Sequence, residues 1–256
     1  MTDKQIQIKK AYDLIKSELA MIYQNNWTYA DFIKLSRVEK FDTKIQKILE
    51  SLFKEHQAII EGELTFAYTD SATSEIDSMA TQGLKLKGIQ KSLDVVAAIK
   101  APMDGVVWYD RLGRNRGEVL YKLSSEIKSG IYNGLPYSKV TKTLQDVFGS
   151  DLIMNDTIAR TETKRVISLG QTDVLDKVPE GVRIIKTWRT MKDSKVRSGS
   201  KRSKGNHVMM NGKTIPYAED FVTPSGSRGK APMQMKGPNA KADNINCRCI
   251  MTVAIE

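Results

Sequence analysis

The chain is poor in the residues that usually carry chemistry or covalent structure: two cysteines, two histidines and three tryptophans in 256 residues. Cys247 and Cys249 stand two positions apart, a spacing that rarely offers disulfide geometry, so no covalent framework is expected and a reducing compartment is implied. A histidine-rich metal centre is excluded, since only His56 and His207 are present. His56, flanked by Glu55 and Gln57 in an amphipathic segment, is expected to be exposed. No Ser-centred nucleophile elbow and no phosphate-cradling Gly-Lys loop occurs, and no acidic cluster stands ready to hold a metal for phosphodiester hydrolysis. Long apolar runs are missing too. Val95-Val96-Ala97-Ala98-Ile99 is far too short to span a bilayer, and Met1 to Ile6 lacks the apolar stretch of a secretory signal, so no membrane anchor is expected.

Acidic residues are scarce in one region only. Residues 181–256 hold 15 Lys/Arg against 5 Asp/Glu, whereas residues 1–180 are balanced, so the net charge of +10 resides in the last segment. A balanced scaffold with one basic end points to a polyanionic partner, nucleic acid first, with a merely soluble basic face as the alternative. The cations concerned include Lys186, Lys192, Lys195, Arg197, Lys201, Arg202, Lys204, Lys213, Arg228 and Lys230. Aromatic residues among them are too sparse for single-strand stacking, so the expected contact is with duplex phosphates, without sequence choice.

Hydrophobic periodicity predicts an α+β fold, a mainly helical body with a small, loop-rich C-terminal β-subdomain. Ile8, Tyr12, Ile15 and Leu19, then Phe41, Ile45, Ile48 and Leu52, fall at helical spacing on either side of a polar break at Asn25-Asn26. Residues 61–88 read ambiguously, as a connector or a helix ending near Gly83. A turn at 103–108 should lead into a helix striped by Val119, Leu123, Ile127 and Ile131 that stops at Asn133-Gly134. The next helix should close at Gly149, and Asp156 should cap another, on which Glu162 projects from an apolar stripe with Ala159, Val166 and Leu169. A carboxylate there needs a partner when buried. After Pro179 the period changes to that of strands, with Asn211-Gly212 placed to turn a hairpin, a mostly looped stretch over 221–244 and a closing strand from Cys249. Three regions follow: amphipathic helices over 1–90, a helical part over 91–180 and a basic β/loop subdomain over 181–256.

Several pieces, in order, resemble the Mu F-like phage head morphogenesis or minor head proteins. They are Trp108 to Arg111, Gly130 to Ser138, Ile158-Ala159-Arg160-Thr161-Glu162, Trp188, Asp193, Val196-Arg197, His207, Asn211-Gly212, Phe221, Pro232 and Asn246-Cys247-Arg248-Cys249. The resemblance runs from about residue 108 to 249, and its most telling parts are Ala-Arg-Thr-Glu and Asn-Cys-Arg-Cys. It implies a minor structural protein of a tailed-phage head, inside the capsid, associated with the portal protein, packaged double-stranded DNA and possibly scaffold or major capsid protein, and assembled in the host cytoplasm. Some members of the family carry a fused toxin or ADP-ribosyltransferase domain, for which the few residues after Cys249 leave no room. Residues 198–206, basic and small, lengthen the family pattern before His207. They are either a DNA-contacting loop or a tolerated surface insertion.

The family residues Arg160, Thr161, Glu162, Trp188, Asp193, Arg197, His207, Asn211, Gly212, Phe221, Asn246, Cys247, Arg248 and Cys249 are expected to form a fold-locking network. In it Glu162 accepts from Arg197 or Arg248, and Trp188 and Phe221 supply a small core. No enzyme activity, cofactor or metal is expected. The rival reading is a hydrolase or toxin-like enzyme using His207 with Asp193. Cys247, Cys249 and His207 are the candidate ligands were a metal bound, but zinc sites usually draw on pairs two to four apart, and buried thiols also serve as small apolar groups.

Overall fold

The computed structural model describes residues 3–24, 35–200 and 203–256. The break expected at Asn25-Asn26 lies outside them. The helices are α1 (Asp3–Gln24), α2 (Leu35–Thr81), α3 (Val95–Lys100), α4 (Trp108–Tyr132), α5 (Tyr137–Leu175) and the short α6 (Ala240–Asn244). The strands are β1 (Ile184–Arg189), β2 (Ser198–Ser200), β3 (Ser203–Asn206), β4 (Thr214–Pro216), β5 (Phe221–Val222), β6 (Arg228–Gly229) and β7 (Ile250–Ile255). This is the mainly helical α+β class that periodicity predicts. Two compact units emerge, one from Met1–Ile60 and Tyr109–Ile158, the other from Glu61–Trp108 and Ala159–Glu256. The divisions drawn along the sequence near 90 and 180 both fall inside the second unit.

In the first unit, spacing of three and four residues decides which side of each helix is buried. Ile15 and Leu19 of α1, Ile45 and Leu49 of α2, Leu123 and Ile127 of α4, and Val140 and Leu144 of α5 all enter its core. The α4–α5 turn is a Schellman closure. Gly134 takes φ 64°, Leu135 N donates to Gly130 O at 2.9 Å and Gly134 N donates to Ile131 O at 3.1 Å. Two expectations are corrected. The helix continues through Gly149 and Asp156 without a break, because Val147, Phe148 and Ile158 are buried on either side and outweigh the roughly 1 kcal/mol cost of an interior glycine. His56 is buried rather than exposed, since it shares a helix face with the buried Phe53 and Ile60. Its Nδ1 lies 3.1 Å from Asn155 Nδ2, while Asn155 Oδ1 accepts from Asn115 Nδ2 at 3.0 Å.

In the second unit, α2 runs on through the ambiguous stretch to Thr81, and Gly83 follows at φ 91°. Here α2 and α5 come close enough that a Cβ on Gly170 would stand 2.6 Å from Tyr68 O and 3.3 Å from Ala72 N. The approach is held by Tyr68 Oη donating to Asp173 at 2.6 Å and Ser71 Oγ donating to Ile167 O at 2.7 Å. β1 is the centre of an antiparallel sheet in the order β4-β1-β7, and its alternation buries Ile184, Lys186 and Trp188. Trp188 and Phe221 meet edge to face, ring centroids 5.4 Å apart, among the buried Met210, Met233, Met235 and Met251.

The hairpin predicted around Asn211-Gly212 is not formed. Val208–Met210 is a single 3-10 turn that buries Met210, Asn211 keeps φ at −61°, and only Gly212 is left-handed, at φ 84°. Gly212 N donates to Trp188 O at 2.8 Å and Asn211 Oδ1 accepts from Thr190 N at 3.0 Å, which directs β4 onto β1.

Two glycines of α5 should therefore respond oppositely to alanine. Gly149→Ala, where the Cβ meets nothing within 4 Å, is expected to stabilise by about 0.5–1 kcal/mol. Gly170→Ala should instead destabilise by about 1–3 kcal/mol through overpacking, despite the better helix former. Denaturant midpoints of the two variants check this.

Candidate functional site

The loops after β4 contain few ladder hydrogen bonds, so their buried polar groups need other partners. Helix α5 supplies many of them from one face. Thr161 Oγ1 accepts from Asn246 N at 3.0 Å, Arg160 Nη1 donates to Asn246 Oδ1 at 3.3 Å, and Ser168 Oγ donates to Pro232 O at 2.6 Å. Gln171 Nε2 donates to Met251 O at 3.2 Å, and Tyr217 Oη donates to Thr172 O at 3.0 Å. Asn246 itself is left-handed, φ 60°, a conformation that asparagine tolerates better than most residues. The Ala-Arg-Thr-Glu and Asn-Cys-Arg-Cys segments thus touch through Arg160, Thr161 and Asn246.

Glu162 turns away from this contact. It is 1% exposed and accepts from Arg165 Nε at 2.6 Å, and Arg165, 3% exposed, donates onward to Ala98 O at 2.9 Å and Ile99 O at 3.0 Å. Those are carbonyls in the last turn of α3, where intrahelical donors run out, Ala98 O taking only a long bond from Ala101 N at 3.4 Å. The arginine that Glu162 holds is therefore Arg165, one turn along its own helix, and not Arg197 or Arg248. Arg197 donates to Ile245 O, and Arg248 forms a fork on Asp193 at 2.8 and 2.5 Å.

His207, Cys247 and Cys249 come together in the buried centre. His207 Nδ1 lies 3.5 Å from each Sγ, its Nε2 lies 3.1 Å from Asp243 Oδ1, and its ring meets Trp188 edge-on at 5.4 Å. Asp243 Oδ2 accepts from Thr223 Oγ1 at 3.0 Å and Ser225 Oγ at 2.5 Å. Burial would raise the Asp243 carboxyl, but these donors and His207 hold it down at about 2. Burial would lower His207, yet Asp243 and Cys247 push it up to about 9. The Cys247 thiol is held well below its ordinary value, by Cys249 first and His207 second. The neighbouring Asn244 locks the next loop, its Oδ1 accepting from Met235 N and its Nδ2 donating to Met235 O.

The sequence profile of the Phage Mu protein F-like family matches residues 121–252, a span containing both gripping segments and this cluster. The chain belongs to that family. It is 28% identical over 232 residues to the minor head protein GP7 of Bacillus phage SPP1, covering 90% of this chain and 72% of that protein. It is also 24% identical over 156 residues to the NAD(+)--arginine ADP-ribosyltransferase EFV of Enterococcus faecalis, covering 60% of this chain but 30% of the transferase. No solved structure matches at a significant level.

In this Mu F-like chain the carboxylate beside His207 is Asp243, and the pair His207–Asp193 required by the hydrolase reading is not formed, because Asp193 is occupied by Arg248 at the surface. Asp243 was missed by sequence reasoning. Its signal was its rarity, one of five acids in the basic segment, four residues before Cys247. The cationic set also divides. Lys192, Lys195, Lys213 and Arg228 are exposed. Lys230 is engaged by Asp176 and lies over the Tyr217 ring. Lys201 and Arg202, with the side chain of Lys204, lie outside the described residues. Lys186, grouped by sequence with the DNA-facing cations, is 0% exposed: its Nζ donates to Lys230 O at 2.7 Å and sits over the Tyr217 and Phe221 rings. Strand alternation places it between Ile184 and Trp188 on the inner face. Just before His207, β3 pairs with β2, and a Cβ on Gly205 would lie 3.0 Å from Asp243 Oδ1.

Glu162→Ala should leave the Arg165 guanidinium buried without its counter-charge and cost about 3–5 kcal/mol in denaturant unfolding. Lys186 gives a pH signature. Burial pushes its ammonium down from 10.5 to about 8, so between those values the unfolded chain holds the proton that the folded chain has lost. Stability from this group therefore rises with pH across that window. Lys186→Met should lack the rise when its pH–stability curve is subtracted from that of the unaltered chain.

Proposed function

We propose that the chain is a minor structural protein of a tailed-bacteriophage head that meets packaged DNA through the exposed cations of its second unit and is associated with the portal vertex, acting in head morphogenesis or DNA delivery. Membership of the Mu F-like family, with a phage minor head protein as a relative across 90% of the chain, carries the structural role. The arrangement around His207 supports structure rather than turnover. Its polar atoms are engaged with one another, the Trp188 ring meets the imidazole edge-on, and the Ala-Arg-Thr-Glu and Asn-Cys-Arg-Cys segments hold a loop to α5. The activity named for the Enterococcus faecalis relative belongs to a protein of which this chain matches under a third. Among the described residues no helix is long and apolar enough to cross a membrane. Inside the capsid, the natural polyanion for Lys192, Lys195, Lys213 and Arg228 is duplex DNA, bound through phosphates and without base readout.

Mass spectrometry of purified virions is expected to find the chain in the particle, and its absence there would refute the structural role. For DNA, affinity should fall linearly on a log–log plot against salt. Replacing Lys192, Lys195, Lys213 and Arg228 by Gln together should flatten the slope by about 3 to 4 if each contacts one phosphate. Binding indifferent to salt, or a slope unchanged in the fourfold variant, would remove DNA from the proposal.

A further inference from the structure

The buried His207–Cys247–Cys249 cluster brings three metal-ligand atoms to one point. The three ligand atoms lie within 4.8 Å of one another and all three residues are buried. Zinc bound to nitrogen at about 2.0–2.1 Å and to sulfur at about 2.3 Å, at the tetrahedral angle, places N and S about 3.5 Å apart. That is the separation of His207 Nδ1 from each of the two sulfurs. The chain passes from Cys247 through Arg248 to Cys249 and into β7, so alternation puts both thiols on one side, and a one-residue spacer suffices where helical or knuckle sites need more.

Two further observations point the same way. The other imidazole nitrogen faces Asp243, the arrangement in which a carboxylate fixes the tautomer and orientation of a metal-ligating histidine. The Trp188 indole N–H is buried with no well-formed hydrogen bond and faces the Cys249 sulfur, where a metal-bound thiolate would accept it.

We infer that His207 Nδ1, Cys247 Sγ and Cys249 Sγ bind one zinc ion, with the fourth position open to water from the small cavity lined by Met191, Lys195, Val196, Arg197, Asn246 and Arg248. Two thiolates and an imidazole are soft and borderline donors that favour zinc over magnesium or calcium. The ion would tie the turn after β3 to the entry of β7, two segments forty residues apart, and its binding would add to folding.

The test is metal content of the whole chain, purified under reducing conditions from zinc-replete cells and dialysed. About one zinc per chain is expected, and cobalt in its place should give the intense visible and thiolate charge-transfer absorption of a tetrahedral site. Asp243→Asn should release the metal to a chelator about 10- to 100-fold more readily; an unchanged affinity would remove Asp243 from the site. Folded, unaltered chain, verified by circular dichroism, that holds no zinc and develops no cobalt spectrum overturns the inference. So does a Cys247→Ser/Cys249→Ser double variant that folds and keeps its zinc in full. Should that variant not fold, the cobalt spectrum of the unaltered chain decides.

Discussion

The hydrogen bonds from one face of α5 to the loop backbone are the constraint on which the second unit depends. Residues 221–249 contain two two-residue strands and one five-residue helix, which leaves many buried N–H and C=O groups without regular partners. Leaving one such group unpaired costs about 1–3 kcal/mol, more than a typical hydrogen bond returns, so the loops can be buried only where side chains complete them. Thr161, Ser168 and Gln171, which bond main-chain groups of Asn246, Pro232 and Met251, recur along α5 at spacings that keep them on one side of the helix. Polar residues that would look misplaced on an amphipathic helix are therefore what allow a loop-rich region to form a core of Trp188, Phe221 and four methionines.

The opposite requirement operates on the other sides of the same helix. Toward α2, Gly170 removes a side chain so that two backbones can approach. Toward α3, Glu162 and Arg165 bury opposite charges beside the last carbonyls of a short helix. A buried ion pair adds little net stability over an apolar pair, but Arg165 also donates to the Ala98 and Ile99 carbonyls at the end of α3. One helix thus meets three neighbours by three different means within residues 159–175.

Periodicity made α1, the first part of α2, α4, the Gly134 stop, the alternation of β1 and the closing strand β7 legible, because each depends on local spacing, whereas the short α3 and α6 carry no such signal. It also made Glu162 visible as a carboxylate needing a partner. The partner was not legible: Arg165, one turn away, is chosen by the position of α3, a non-local fact. The same holds for Asp243, which reaches His207 only because α6 folds back over β3. Gly149 reads locally as a stop because glycine is a poor helix former, whereas burial of Val147, Phe148 and Ile158 decides the outcome. Asn211-Gly212 failed as a hairpin signal for a related reason, since burying Met210 and pairing β4 with β1 overrode the turn preference.

The basic end shows why composition alone overstates an electrostatic surface. Net charge sets the long-range field that draws a polyanion in, and buried or paired cations still contribute to that field. Counterion release depends instead on cations that reach phosphates. Lys186 is enclosed by aromatic rings, Arg197 is committed to Ile245 O, Lys230 to Asp176 and Arg248 to Asp193. These residues shape the loops rather than coat them. The charge of +10 and the number of phosphate contacts are consequently different quantities here, the first set by composition and the second by which lysines and arginines the loop network leaves at the surface.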